Sequence, residues 1–426
     1  MSKTIIVGGG IIGLASAYFL RKKGLDVILI DKGEPGAECS SGNMGWVCPS
    51  LSDPVPAPGL VKTSLKWMLK RDSPLYIKPS VVPSLSPWLL QFWKYCSEDA
   101  YQLGFKAGLE LSKDTLRLYD ELEQENGLTF EMHRKGLLFV CLKENYIEEK
   151  MESYRIVEEF GLPSPVSKTK HEVLQMEPAL SDAVAGGIYL PAERHVRPES
   201  LTLALTEWLK VNGTEIMSLT EVKGFIQEGD QIIAANIGEK TIEGDQFLIT
   251  AGAWAGKVLN QAGIQVPMTA GKGYSLTISS PSVQFRQPLY LGDSRVTISP
   301  FHDSVRIGGT MELSGLNTDL DQRRIEGLRN SAAQYLRLPV LGKEKAWCGM
   351  RPMTPDGLPV LGRITGYTNL FIASGHAMSG ISMALSTGSA MSELISSGKS
   401  EIDLKPFAPD RFKTQHSNDK KSKVTV

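Results

Sequence analysis

A chain of 426 residues, 42% hydrophobic and 22% charged, is long enough for two domains with ordinary cores. Its formal net charge of −1, with no Lys/Arg stripe interleaved with aromatics, offers no broad attraction for nucleic acid or acidic lipid and favours a small-molecule partner. The five cysteines are scattered and never spaced as CxxC, and the six histidines form no HxxxH or similar pattern, which argues against a disulfide framework, a zinc site and a catalytic metal.

The apolar run Thr4-Ile5-Ile6-Val7 leads into Gly8-Gly9-Gly10-Ile11-Ile12-Gly13, after which Ala15, Ala17, Tyr18 and Leu20 recur at helical intervals. This predicts strand, tight turn and helix, closed by Gly24 and followed by a second parallel strand, Leu25 to Ile30, that ends at Asp31. No charged and apolar leader precedes the first strand, and no apolar run approaches the ~20 residues of a membrane span. A cytoplasmic, reducing compartment is therefore expected.

Each glycine has its own task in a dinucleotide turn. Gly8 permits the sharp bend, Gly10 lets the backbone approach a pyrophosphate, and Gly13 lets the helix pack on the strand. The helix N-terminus faces the phosphates, and Asp31, some twenty residues on, is placed for ribose hydroxyls. The loop Cys39-Ser40-Ser41-Gly42-Asn43-Met44-Gly45, rich in hydroxyl and amide groups, suits a phosphate. NAD enzymes share this βαβ geometry, so the unit alone leaves the dinucleotide open.

From Pro49 to Cys96, prolines at 54, 56, 58, 74, 79, 83 and 87 are interleaved with Trp67, Trp88 and Trp93, and short helical pieces and loops are expected. Tyr101 to Asn126 reads as one long amphipathic helix, and Gly136 to Val140 as a buried strand. Further strands are predicted at 187–190, 215–225, 231–235, 246–250, 274–278, 296–300 and 305–310. Residues 370–373 feed through Ser374-Gly375-His376 into a helix over 380–396. Beyond Phe407 the polar, Lys-rich tail is expected to be disordered.

Taken together, GGGIIGL, Asp31, SSGNMG, LITAGAW at 248–254, GMRPMTPDG at 349–357 and Gly375-His376 resemble the D-amino-acid oxidase superfamily, in order and over nearly the whole chain. Within it, APGLVK with KWMLKRDSPL, then KGYSLT, then GMRPMTPDGLPVLGR are most similar to the small-subunit type of bacterial D-amino-acid dehydrogenase. The resemblance implies an α/β plus α+β fold, with a Rossmann-like FAD-binding domain (1–55, 195–255 and 345–410) interleaved with a mixed-sheet substrate domain (56–194 and 256–344). It leaves 411–426 as tail.

The resemblance also implies noncovalent FAD held by Gly8, Gly10, Ile11, Ile12, Gly13, Asp31, Lys32, Ser40, Ser41, Asn43, Gly45, Val222, Ala251, Gly252 and Gly380. Cys348 lies near the position where related sarcosine oxidases carry a flavin-linked cysteine, but one residue out of register. Three residues make up the implied catalytic set. Arg351 holds a substrate carboxylate. Tyr274 either hydrogen-bonds that carboxylate or packs in its strand. His376 either acts on the flavin or caps the turn before a helix N-terminus at the ring's pyrimidine end.

The implied reaction is oxidative deamination of a D-amino acid by hydride transfer from Cα to flavin N5, giving an imino acid and then a 2-oxo acid. A secondary or small amine (D-proline, hydroxy-D-proline, sarcosine or glycine) is the alternative substrate, and an inert dinucleotide-binding protein the alternative class. Quinone, an electron carrier or oxygen is the implied acceptor. The segment 54–93, with its tryptophans and Lys66, Lys70 and Arg71, is either an interfacial patch on the inner face of the cell membrane or a lid over the substrate.

Overall fold

The apolar run at the N-terminus forms the strand Lys3–Val7, and Ile11–Lys22 is the helix behind it. The computed structural model describes residues 2–60 and 75–412. Lys3–Val7 lies near the middle of a six-stranded sheet ordered Glu215–Met217, Asp26–Ile30, Lys3–Val7, Gln246–Ile249, Leu370–Ser374 and Val360–Arg363. The first five are parallel and the last is antiparallel.

Strands buried on both faces need continuous apolar sequence rather than alternation. On one face Ile6, Leu29, Leu248 and Phe371 pack against Leu14, Ala15 and Leu20 of the first helix and Ala384 and Met391 of the helix Gly380–Ser397. On the other, Ile5, Ile28, Phe247 and Ile372 meet Val222, Ile232 and Leu259.

A second sheet of nine strands runs Lys343–Met353, Thr269–Ser279, Ser304–Leu313, Val296–Pro300, Leu289–Leu291, Leu137–Cys141, Gly186–Leu190 and Val166–Thr169, with Leu75–Ile77 parallel to Ser304–Leu313. The helix Gln322–Ala333 packs beneath it through Ile325 and Leu328. The α/β sheet and the mixed sheet together match the expected fold class. A small sheet of Trp46–Val47, Arg194–Val196 and Met132–His133 lies where the chain passes from one to the other.

Three elements differ from their sequence expectation. The single helix over 101–126 is two, Glu98–Ser112 and Thr115–Gln124. On either side of the break Ser112 accepts a bond from Ser52, and Thr115 donates to the Ser382 carbonyl, which turns the chain. The run 215–225 is divided between two sheets. Leu219, at φ 53°, donates its N–H to Gly33, and Thr220 donates to Asp31, so the chain leaves Glu215–Met217 before Gly224–Glu228 begins. Lys343–Met353 was legible only as a motif, because Gly349 and Pro352 break strand patterns. Pro352 is tolerated since this strand is the sheet's edge.

The interfacial or lid segment is described only in part. Leu75–Ile77 is a strand and Val82–Lys94 a helix with Pro87 inside it, whereas Trp67, Lys66, Lys70 and Arg71 lie outside the described residues. So does the tail from 413. Arg411, grouped with the tail in sequence, is anchored to Asp356 at 2.7 Å.

The two long helices that flank the first sheet cross at Gly388. A Cβ there would stand 2.7 Å from the Ala15 carbonyl carbon and 3.0 Å from the Ser16 nitrogen, backbone atoms that cannot swing aside. Gly388→Ala is expected to destabilise the protein by about 1–3 kcal/mol, the usual range for overpacking. A thermal unfolding midpoint equal to that of the unaltered chain would show that the helices can separate freely.

Candidate active site

Lys3–Val7 and Gln246–Ile249 are neighbours in the sheet, yet the chain leaves them toward opposite sides, so a crevice opens beyond their carboxyl ends. A solvent-connected cavity with about 1280 Å³ of atom-free space, part of it open solvent, fills this crevice, walled by residues 7, 8, 10–12, 30–32, 38–40, 220–222, 250–254, 350, 352, 373, 374, 376, 377, 380 and 381 among others. The Thr250 hydroxyl donates to the Gly8 carbonyl at 2.7 Å and fixes the two strand ends together. Gly13 closes the turn from behind, since a Cβ on it would lie 2.0 Å from the Gly8 oxygen.

At the Asp31 end, the carboxylate accepts N–H groups from Gly9 at 2.5 Å and Gly33 at 2.7 Å. Burial raises the pKa of this carboxyl, and the two N–H groups oppose the rise. Each oxygen has a second lone pair for a ligand hydroxyl. The Ser40 hydroxyl accepts the Ile11 N–H at 3.0 Å and so shapes the start of the first helix, whose unsatisfied N–H groups and partial positive charge favour a phosphate. Lys32 lies 3.7 Å over the Trp254 ring, and both line the cavity.

At the far end, the turn 375–379 delivers the N-terminus of Gly380–Ser397 into the cavity, with Gly380 and Ile381 in its wall. Ala377 holds φ 48°, unusual for a residue with a side chain, and its N–H donates to Pro352. His376 is buried. Its Nε2 pairs with Thr387 at 3.0 Å, and burial pulls its pKa down to about 3, so the imidazole is neutral. Its Nδ1 is buried without a protein partner.

Twelve of the fifteen sequence-chosen cofactor residues line this cavity: Gly8, Gly10, Ile11, Ile12, Asp31, Lys32, Ser40, Asn43, Val222, Ala251, Gly252 and Gly380. Gly13 stands behind the turn. Ser41 donates to Ala37 and Glu38, and Gly45, at φ 75°, accepts the Val196 N–H. Trp254, Lys257, Gln261, Cys39, Met350 and Pro352 were not in that set but belong to the wall. Lys257 and Gln261, four residues apart at a short helix, carry no motif, whereas Met350 and Pro352 sit inside the quoted GMRPMTPDG segment.

Of the three residues expected to act on substrate, His376 is in the wall, while Arg351 and Tyr274 are not. Tyr274 is buried in the sheet core, and its phenol donates to Glu312 at 2.7 Å. Glu312 is also 3.5 Å from Lys272, so of the two readings of Tyr274 its contacts are those of the tyrosine packed in its strand, within a buried polar network. Cys348, paired with Tyr274 across the strands, is buried with its thiol 3.2 Å from the Thr318 carbonyl.

Arg351 lies between two wall residues on its strand, Met350 and Pro352, and in electrostatic contact with a third, Cys39. Its guanidinium rests on Gly273, where a Cβ would come within 2.4 Å of Nη2, and Nη1 donates to the Thr310 carbonyl at 2.9 Å. Among the described residues no carboxylate forms an ion pair with it. Burial accordingly presses the Arg351 pKa down, and raises that of the Cys39 thiol to about 11.

The profile of the FAD dependent oxidoreductase (DAO) family matches residues 3–394. A D-amino acid dehydrogenase of Bradyrhizobium diazoefficiens is 29% identical over 96% of this chain and 99% of its own length. One of Rhizorhabdus wittichii is 30% identical over 96% of this chain and its entire length. The crystal structure of glycine oxidase from Geobacillus kaustophilus superposes with a TM-score of 0.77 at 23% identity, over 96% of this chain and 99% of that one.

The donor set fits FAD: an acidic acceptor at one end, a helix N-terminus in the middle, and a second helix N-terminus beside an unpartnered buried His376 nitrogen at the other. Asp31→Ala removes a charged acceptor and is expected to weaken FAD retention about 10- to 150-fold, the equivalent of roughly 1.5–3 kcal/mol. Fluorescence titration of the apoprotein with FAD reads this directly, and unchanged affinity would put the ribose elsewhere. The chain belongs to the family of FAD dependent oxidoreductases, and FAD is its cofactor.

Proposed function

We propose that the protein oxidises the α carbon of a D-amino acid, yielding an imino acid that water hydrolyses to a 2-oxo acid and ammonia. The observation that carries this reading is Arg351, a partly buried guanidinium with no carboxylate of its own among the described residues. Such a cation is stabilised by an anionic ligand, and a planar fork matches a carboxylate through two parallel bonds. Of its five N–H donors, one is given to the Thr310 carbonyl, and a parallel pair of the others is proposed to hold the substrate carboxylate.

FAD, when bound, supplies the acceptor for the two electrons removed from the substrate. The chain's part is to hold that substrate. Arg351 fixes the carboxylate and therefore which hydrogen of Cα is presented, which is the positioning an amine oxidation needs. Tyr290 is within electrostatic reach of Arg351 and packs edge-on against Phe139 at 4.8 Å. Neutral His376 supplies no charge, so its turn contributes through the helix N-terminus it delivers. The preference for D-amino acids over a small or secondary amine rests on the two relatives at 29% and 30% identity, both D-amino acid dehydrogenases.

As a dehydrogenase, the protein passes its electrons to a quinone or carrier in preference to oxygen. No helix among the described residues is long and apolar enough to cross a membrane. Contact with a membrane surface is proposed instead through the helix Val82–Lys94, where Leu90 and Trp93 are 59% and 63% exposed. These are apolar bodies of the kind an interface accepts.

Anaerobic mixing with D-amino acids, L-amino acids and N-methyl amines tests the substrate. Bleaching of the flavin by D-amino acids is the expected result, and bleaching by sarcosine or glycine alone would replace the proposal with amine oxidation. Arg351→Lys is expected to lower kcat/KM about 10- to 150-fold while FAD content persists, roughly the 1.5–3 kcal/mol of a charge-assisted hydrogen bond. For the acceptor, turnover with a soluble quinone should exceed turnover with oxygen. Hydrogen peroxide formed at the full rate would identify an oxidase.

A further inference from the structure

Three residues remote in sequence, Glu131, His133 and His302, converge outside the FAD cavity. Their potential ligand atoms all lie within 4.8 Å of one another. The sequence carries no ligand spacing here, because the cluster is made by folding: Met132–His133 pairs with Arg194–Val196, and His302 follows the strand Val296–Pro300. His133 Nε2 is 2.7 Å and His302 Nδ1 3.8 Å from Glu131 Oε1. Donors around a tetrahedral zinc ion with bonds of about 2.0–2.1 Å stand about 3.3 Å apart, so these two separations bracket the required one.

The surrounding contacts hold the three groups in this arrangement. The His302 backbone N–H donates to Glu131 at 2.7 Å, tying its turn to the carboxylate. Arg197 bridges the other carboxylate oxygen, at 3.3 Å, and Asp303, at 2.8 Å, which leaves Oε1 facing both imidazoles. The His133 ring stacks on His195 at 4.6 Å, and His195 is pinned through Nε2 to the Pro300 carbonyl. His302 is 76% exposed, so a fourth position opens to solvent.

We propose that Glu131, His133 and His302 form a zinc-class transition-metal site, completed by water, that clasps the three-stranded sheet to the turn after Val296–Pro300. Two imidazoles and one carboxylate select a borderline ion such as Zn²⁺ over Mg²⁺ or Ca²⁺, which take oxygen donors. Arg197 beside Oε2 opposes a second cation, so binding is of moderate strength and reversible by chelators.

The test uses tag-free, EDTA-treated holoenzyme titrated with ZnCl₂ by calorimetry, alongside His302→Ala, whose exposed side chain can be removed without opening the core. One equivalent per chain, affinity lowered at least tenfold in the variant, and a zinc-dependent rise in thermal midpoint seen only in the parent are expected. Flavin content should be the same in both. Equal zinc uptake by parent, His302→Ala and His133→Gln, no uptake by the parent, or equally tight binding of Mg²⁺ would overturn the site.

Discussion

The adjacency of Gly8 and Thr250 is the contact on which the site depends. One hydroxyl-to-carbonyl bond of 2.7 Å joins residues 242 apart, at the point where two parallel strands end and their connections diverge. With this pair fixed, the first helix must start at the crevice, the 250–254 turn must form its opposite wall, and the Leu370–Ser374 strand, next in the sheet, must deliver the second helix to the same rim. The cofactor site is therefore a property of strand order as much as of any side chain.

Much of this was legible before any coordinates, because the groups that handle a dinucleotide are backbone groups and the glycines that expose them are conspicuous. Gly8, Gly10, Asp31 and Ser40 are read from local spacing, and all four line the cavity. Where the sequence misled, the deciding contacts were between distant segments. Tyr274 looks identical in sequence whether it faces a substrate or Glu312, thirty-eight residues away. The break at 113–114 was invisible because it is imposed by the Ser52 hydroxyl and the Ser382 backbone carbonyl, which bond to Ser112 and Thr115, and not by a helix-breaking residue. Glu131, His133 and His302 are found only by topology.

Arg351 and the cofactor cavity belong to the same strand but answer to different requirements. Its neighbours Met350 and Pro352 form cavity wall, whereas its own guanidinium lies on the bare Gly273 backbone. A residue with a side chain at 273 would lift the guanidinium off the strand, so the glycine in KGYSLT and the arginine in GMRPMTPDG form one feature divided between two motifs. The Thr310 carbonyl holds the pair in place, from a residue that itself adopts φ 57°.

The crossing of Ile11–Lys22 with Gly380–Ser397 has a consequence for how the protein is made. The first helix emerges from the ribosome with Leu14, Ala15 and Leu20 ready to be buried, but the helix that covers them begins only at Gly380, far later in the chain. At about 5–20 residues per second the interval is roughly 20–75 s. Throughout it the nascent chain has a phosphate-binding turn but no second helix N-terminus beside it, and an apolar helix face without its partner. The cofactor site is thus completed only after the Gly380–Ser397 helix has been made, and until then the early helix keeps an uncovered apolar face.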